Sequence, residues 1–564
     1  MAGVQFTHRL AGLVEVTTVG DCIERAAQAW THDAIVFPDH RATFPEFRAR
    51  ADHFARAFIA LGLDAGDKVG IRMEQGVDYY AALVGAAKIG AVGVPINVRF
   101  KAYELSHVIE NSEMRVLIGS PDGGEIGAHI ALLHETLPSL ADASSPDLRL
   151  DEAPLLSHII VVGPSTDPWL LGEADVVAAA ETVTGDQLDA RRYGVRVRDT
   201  AVLMYTSGTT AHPKGAMLSH EALVRVGATV ARTRFALTPD DVMWTSLPLY
   251  HIGGIAWAFA CFTSGATYCH NGPFDPAVAL RQIRDERCTL ALPAFEMLWM
   301  AVLAQPDFDV NDLPDLRLVF NVGVPERLRQ LQEEVPTAVQ VSGFGSTEAC
   351  SFMTLGEVDD SLDDRVNTTG RPLPGLHLKI IDVETGDDLP PGTVGEILYK
   401  GWSVFDGYYR DPDKTAEVFD SDGWFHSGDL GVLDDNGRLQ FSGRLKDMMK
   451  VGGENVAAAE VEGFLLGHDA IAQAQVVAAP DARYSEVPAA FVQLVPGAEV
   501  TEAEIIEFCL GSISTFKVPR YVRFVDEWPM SGTKVKKYVL REQLAVELEV
   551  AGITEAPKLF SRMN

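Results

Sequence analysis

The amino-acid sequence predicts an α/β fold. A large N-terminal domain of helices layered on parallel sheets carries a small β-rich subdomain, and a small α+β domain follows it. Three observations lead there. The chain has 564 residues, and single hydrophobic cores stop growing at roughly 250–300 residues. Strand and helix patterns alternate through the N-terminal part, the signature of parallel strands with crossover helices. After about Leu376 that alternation gives way to short strands and turns, and a fresh α+β pattern begins after Gly443-Arg444-Leu445-Lys446-Asp447.

The elements justify this in order. Lys68–Met73 (KVGIRM) reads as a strand, Val77–Ile89 as a helix with an apolar face, and Ala91–Ile96 (AVGVPI) as the next strand. The pattern recurs at Ala201–Tyr205, Asp241–Pro248 and Leu316–Val322. The looser, acidic stretch Gly123–Gly194 reads as surface excursions between such units. The uncharged run Ile252–Cys269 approaches the length of a membrane span. Its glycines and Thr-Ser-Gly turn predict instead a buried helix ending near Ser264-Gly265, then a strand. Leu378–Asp382, Gly395–Lys400 and Arg438–Phe441 read as short strands of the β-rich subdomain, at about 376–443. Domains of 1–445 and 446–564 follow.

Composition narrows the function. Against 47 Lys+Arg stand 79 Asp+Glu, a formal net charge of -32. Nucleic acid and anionic membranes need a basic field, so neither is an expected partner. Any phosphate site must be built locally. The six cysteines form no CxxC pair and are irregularly spaced, which favours buried free thiols in a reducing cytoplasm over a disulfide framework. No signal-peptide pattern or membrane span is expected, and a homodimer is left open.

The most informative stretch is Tyr205–His220, YTSGTTAHPKGAMLSH. An apolar strand leads into small hydroxyl residues around Gly208, then Lys214. Backbone N–H groups of such a turn can cradle an anion. Thr206, Ser207, Thr209 and Thr210 add hydroxyl donors, and Lys214 a compact positive charge. It is not a Walker A loop, since Pro213 precedes the lysine and Gly215 follows it. An unrelated P-loop NTPase is therefore disfavoured.

The full string resembles the phosphate-binding signature of the adenylate-forming superfamily, which holds acyl-CoA synthetases, peptide-synthetase adenylation domains and luciferases. Ala211 stands where glycine is usual, which reduces loop freedom. Further motifs follow in the family's order, from about Val19 to Leu540. Gly343–Glu348 (GFGSTE) resembles the adenine and metal motif. The resemblance places Phe344 and Gly345 at adenine, Thr347 at phosphate, and Glu348 on Mg²⁺, a cation that favours carboxylate and phosphate oxygens. Trp424–Leu430 (WFHSGDL) resembles the ribose motif, with Asp429 accepting from the ribose hydroxyls and Arg444 on the other side. Val322, Gly323 and Val324 stand along the adenine and acyl pocket. Leu247–Gly254 (LPLYHIGG) resembles the acyl-site segment, with His251 as a gate and Gly253, Gly254 and Gly343 lining the pocket. No Asp occurs between Leu247 and Phe259 to pair with an ammonium, which disfavours amino-acid substrates.

The resemblance implies two half-reactions: ATP and Mg²⁺ activate a carboxylic acid as acyl-AMP, and a thiol takes the acyl group. Two anions meet in the first, so positioned cations are required. The family's bridging lysine maps onto Lys534 in Pro529-Met-Ser-Gly-Thr-Lys534-Val-Lys536, a turn one residue short, with Lys536 as the fallback. Lys446 takes the place of a hinge about which a mobile C-terminal domain rotates. Gly452, Gly453 and Glu454, within VGGEN, resemble the strip facing a pantetheine tunnel, which points to coenzyme A as co-substrate. A carrier-protein acceptor and a catalytically silent nucleotide-binding homologue are the alternatives.

Overall fold

A computed structural model describes residues 16–559 except 125, 164–166, 207–212, 452–453, 511, 514 and 532–533. It divides into two compact units. The first comprises the described residues of 1–323, 328–377 and 399–425; the second comprises those of 324–327, 378–398 and 426–564.

Two seven-stranded sheets dominate the first unit. In spatial order, one runs Leu170–Leu171, His158–Val161, Met114–Gly119, Lys68–Arg72, Val92–Pro95, Thr200–Thr206, Lys214–Ser219. All its pairs are parallel except the last, which is antiparallel. The other runs Val339–Val341, Leu318–Val322, Leu290–Phe295, Val242–Thr245, Thr267–His270, Asp33–Val36, Arg41–Thr43. It too is parallel save its final antiparallel pair. Strands covered on both faces are rich in apolar residues: AVGVPI is apolar throughout, and KVGIRM buries Val69, Ile71 and Met73 although it also carries Lys68 and Arg72.

Close helix packing supports these sheets. Helix Phe44–Ala60 starts with a capping box from Thr43 and Glu46. Helix Val77–Lys88 lies so near it that a Cβ on Gly85 would meet the Ala51 carbonyl oxygen at 2.9 Å. Lys88 is fully buried, and its ammonium reaches Asp52 and, at 2.5 Å, Glu24. Helix Ile252–Ser264 ends where Gly265 adopts φ 81°, and strand Thr267–His270 follows, as the turn residues predicted. Among the described residues no helix is long and apolar enough to cross a membrane.

Gly123–Gly194 departs from expectation. Strands His158–Val161 and Leu170–Leu171 extend the first sheet. Leu133, Leu137, Leu148, Leu156 and Trp169 join its core. The apolar run HIIVV is short and its flanks are acidic, so a local reading sees a loop. Pairing with Met114–Gly119 overrides that.

The second unit contains most of a four-stranded sheet, Leu376–Ile381, Gly395–Gly401, Phe425–Leu433 and Leu439–Arg444. Beyond it, Glu454–Ala457, Met448–Val451, Ser485–Leu494 and Ile471–Asp481 form an antiparallel sheet. Tyr521–Phe524 adds to it in parallel. Helices Ala458–Leu465, Glu502–Cys509 and Lys537–Val550 complete the unit, their inward faces contributing to two apolar clusters.

Lys88→Met takes the buried ammonium away from buried Asp52 and half-buried Glu24, leaving them only the partly exposed Arg48. Denaturant unfolding should show a loss of about 3 kcal/mol, the usual cost of breaking one side of a buried ion pair. An unchanged midpoint and slope would refute that reading of the cluster.

Candidate active site

The site is built on the antiparallel pair that ends the first sheet. Register sets Thr206 opposite Lys214 and Tyr205 opposite Gly215. A Cβ on Gly215 would meet Leu203 Cδ1 at 2.8 Å, so glycine lets that side chain pack closely over the strand. The loop between them carries the expected phosphate contacts Ser207, Gly208, Thr209 and Thr210, which lie outside the described residues. Its flanks are fastened: the Tyr205 hydroxyl donates to Asn111 Oδ1 at 2.6 Å, and His107 Nε2 lies 3.0 Å from the Pro213 carbonyl oxygen.

A distant segment adds to the outer edge of Lys214–Ser219. Asp406 N–H donates to the Met217 carbonyl at 3.1 Å, Met217 N–H to Gly407 at 3.0 Å, and Tyr409 N–H to Gly215 at 2.8 Å. The Phe405 N–H donates to the Glu348 carbonyl at 2.8 Å. This ties GFGSTE to the same edge.

Within that motif, Gly343 and Phe344 form a short strand paired with Thr354–Leu355. A Cβ on Gly345 would stand 1.6 Å from the Ser351 carbonyl oxygen, so only glycine fits. The chain then reverses. Ser351 N–H donates to the Ser346 carbonyl at 3.0 Å and Cys350 N–H to Thr347 at 2.9 Å. Cys350 and Ser351 take positive φ values of 55° and 90°, and such backbone strain gathers at functional sites. Phe344 is buried.

This turn delivers Glu348 to the edge strand. Its Oε1 accepts from the Tyr408 hydroxyl at 2.8 Å, and Lys214 Nζ lies 5.5 Å from the centre of the Tyr408 ring. Burial holds the Lys214 ammonium below its ordinary pKa and neighbouring Lys414 adds to this; Asp411, Glu417 and Glu348 oppose it. Burial, then Glu348, pushes the Tyr408 phenol up, so it is a neutral donor. Three of the expected residues, Thr206, Lys214 and Glu348, are therefore brought together. Tyr408 was not anticipated. Its only local signal is Gly407-Tyr408-Tyr409-Arg410-Asp411-Pro412, two aromatics after a glycine, which says nothing of a partner some 60 residues earlier.

The expected acyl segment is also placed. His251 precedes helix Ile252–Ser264, half-buried, its ring 5.0 Å from that of Tyr250. The Gly254 carbonyl accepts from Tyr80 and Tyr268 at 2.6 and 2.9 Å, and a Cβ on Gly254 would meet Pro248 O at 2.6 Å. A Cβ on Gly253 would touch Leu247 Cδ1 at 2.9 Å, and one on Gly343 the Phe320 ring at 3.1 Å. Val322 and Gly323 are exposed at a strand end. Val324, half-buried, belongs to the second unit.

In the second unit, Asp429 and Arg444 face each other across adjacent strands, with Arg444 Nε 3.1 Å from Asp429 Oδ1. Asp429 is buried and Arg444 largely open. Ser427 Oγ accepts from Asp429 N–H at 3.0 Å, and Glu396 Oε1 from Gly428 N–H at 3.0 Å, fixing the turn. Gly452 and Gly453 lie outside the described residues, as do the side chains of Lys446, Glu454 and Lys534. The backbone of Lys534 pairs with Ser531, and Lys536 N–H closes the turn on the Pro529 carbonyl at 2.7 Å.

Among the described residues no three His, Cys, Asp or Glu side chains converge as a metal cage. Glu348 is a single carboxylate beside a lysine. That donor set fits Mg²⁺ shared with substrate phosphates, since Mg²⁺ keeps waters and uses one or two carboxylates.

The AMP-binding enzyme family model matches residues 23–409, and the family's C-terminal domain model matches 460–534. This chain is an AMP-binding enzyme. YngI of Bacillus subtilis (strain 168), which bears an acyl-CoA synthetase name, is 34% identical over 535 residues, covering 93% of this chain and 97% of YngI. A propanoyl:CoA ligase of Rhodococcus jostii (strain RHA1), whose acyl group carries a methyl-dioxo-octahydroindenyl ring system, is 33% identical over 534 residues, covering 93% and 99%. The crystal structure of the anthranilate CoA ligase AuaEII with anthranoyl-AMP superposes with TM-score 0.82 at 25% identity, covering 96% and 99%. The AMP-binding enzyme is thus an adenylate-forming protein of acyl-CoA synthetase type, with parallel α/β sheets and a separate C-terminal domain.

Gly345→Ala forces the turn off the Ser351 carbonyl. Displaced backbone of this kind costs about 1–3 kcal/mol, so calorimetric ATP affinity should fall roughly tenfold or more with far-UV dichroism unchanged. Wild-type affinity in the variant would show that the turn does not serve the nucleotide.

Proposed function

We propose that this AMP-binding enzyme activates a hydrophobic carboxylic acid as acyl-AMP and passes the acyl group to coenzyme A. The observation that carries the reading is the convergence of Thr206, Lys214 and Glu348 on one sheet edge, in a chain matching both family models. A carboxylate oxygen attacks the α-phosphorus of ATP, and pyrophosphate leaves. The thiol sulfur of CoA then attacks the acyl carbon, and AMP leaves carrying the former carboxylate oxygen.

The family's motifs support the following roles. Thr206, Ser207, Gly208, Thr209, Thr210 and Lys214 hold the phosphates with Thr347. Glu348 is the residue that would hold Mg²⁺, which when bound neutralises phosphate charge. Phe344, Gly345, Val322 and Gly323 face adenine. Asp429 accepts from ribose hydroxyls, supported by its buried carboxylate and its ion pair with Arg444. His251 gates the acyl pocket, which Gly253, Gly254, Val324 and Gly343 line. Lys534 bridges carboxylate and α-phosphate. Lys446 is the hinge between 1–445 and 446–564, and Gly452–Glu454 face the pantetheine arm. Six buried free cysteines support a reducing cytoplasm.

The acid's apolar character draws support from helix Ile252–Ser264, which carries no charge and is apolar up to Phe262, and from the fused-ring acyl group named for the Rhodococcus jostii relative. Mass spectrometry of incubations with ATP, Mg²⁺, CoA and a panel of acids should show CoA thioesters of medium-chain, alicyclic or fused-ring acids. Preference for acetate or amino acids would sink the assignment, and adenylates without thioesters would redirect it to another acceptor. Lys534→Ala should lose adenylation by at least about a hundredfold, as removal of a charge-stabilising donor does. It should still convert supplied acyl-AMP and CoA to thioester. Normal adenylation in that variant would give the role to Lys536.

A further inference from the structure

Tyr408 is used by nothing in the mechanism above, yet the fold aims it with unusual care. Its backbone is bridged to Ala216 of the phosphate-flanking strand. Gly407 before it adopts φ 129°, and a Cβ there would meet Thr415 Cγ2 at 2.8 Å. Thr415 Oγ1 accepts from Tyr408 N–H at 2.9 Å. The next residue, Tyr409, points to other partners: its hydroxyl donates to Glu113 Oε2 at 2.6 Å and accepts from Lys68 Nζ at 2.7 Å. Asp406 pairs with Arg198. The segment is therefore fastened at Asp406, Gly407, Thr415 and Tyr409, and Tyr408 alone turns to Glu348 and Lys214.

We propose that Tyr408 is a positioning residue that couples the metal-binding carboxylate to the phosphate-binding lysine. Its hydroxyl occupies one lone pair of Glu348 Oε1, at 2.8 Å, which fixes the carboxylate's orientation. Its ring face stands 5.5 Å from Lys214 Nζ, where the ring quadrupole attracts the ammonium. One side chain thus sets both charges that a metal-bound triphosphate meets, before either ligand arrives. Tyr408 is itself buried, 8% exposed, and Glu348 is half-buried, so their contact is partly shielded from water. The proposal rests on the nucleotide part of the function proposed above, and is independent of the acid and of the thiol acceptor.

The two contacts separate by substitution. Tyr408→Phe removes the hydroxyl and keeps the ring; Tyr408→Leu removes both. The probe is Mn²⁺, followed by electron paramagnetic resonance as it binds the enzyme–ATP complex, with no acid or CoA present. ATP affinity without metal is measured by calorimetry. Tyr408→Phe should weaken Mn²⁺ binding roughly tenfold, the scale of a hydrogen bond to a charged group, with metal-free ATP affinity within about twofold of wild type. Tyr408→Leu should weaken both. Paired with Glu348→Gln, Tyr408→Phe should add little further loss, since without the carboxylate the hydroxyl has no metal-binding group left to position. Unchanged Mn²⁺ affinity in Tyr408→Phe, or fully additive losses with Glu348→Gln, would overturn the proposal. If Tyr408→Leu fails to fold, Tyr408→Phe and its cycle still decide. Wild-type enzyme that binds Mn²⁺–ATP but converts no acid would defeat the proposed substrate while leaving this coupling intact.

Discussion

The backbone ladder along Lys214–Ser219 holds the candidate active site together. One edge of that strand pairs with Thr200–Thr206, setting Thr206 opposite Lys214. The other edge takes up Asp406–Tyr409, which brings Tyr408 and, through Phe405, the Glu348 turn. Residues some 130 and 190 positions from Lys214 in the chain meet it because backbone groups of one strand are satisfied on both sides. An unpaired buried backbone group is costly, so the arrangement is enforced by the fold's own hydrogen bonding and does not wait for a ligand. A parallel sheet that ends in an antiparallel strand leaves just such an edge open for a third segment.

The same strand reconciles a polyanionic substrate with a chain of net charge -32. The global field repels ATP. A single ammonium placed among carboxylates would be neutralised by them, yet Glu348 is engaged by a neutral phenol and the Lys214 ammonium stands over an aromatic face. Cation and carboxylate sit close without forming a direct ion pair within 4 Å among the described residues. Neither charge is cancelled by the other. In the second unit the opposite choice is made: Arg444 and Asp429 are already paired, which holds the carboxylate in place.

Much of this was legible in the sequence because it rests on local constraints. A short β-branched run such as KVGIRM, with Val69, Ile71 and Met73 buried, suits a covered strand. Gly265 ends its helix because a left-handed residue is needed there. Gly345 is fixed by a carbonyl that leaves no room for a Cβ, and its place in a motif followed from that. What escaped was non-local. His158–Val161 is a strand only because Met114–Gly119 lies beside it. Tyr408 acquires its role from a carboxylate 60 residues away and a lysine farther still. No periodicity or spacing carries that information, since it depends on which segment fills an open sheet edge.

Adenylation on this sheet edge would join a carboxylate oxygen to the α-phosphorus of ATP. Oxygen-18 in the carboxyl group of an accepted acid reports that bond directly. With ATP, Mg²⁺ and CoA, mass spectrometry of the released nucleotide should find AMP carrying one labelled oxygen, with unlabelled pyrophosphate. Label in inorganic phosphate with ADP as the nucleotide product, or AMP free of label, would contradict the account.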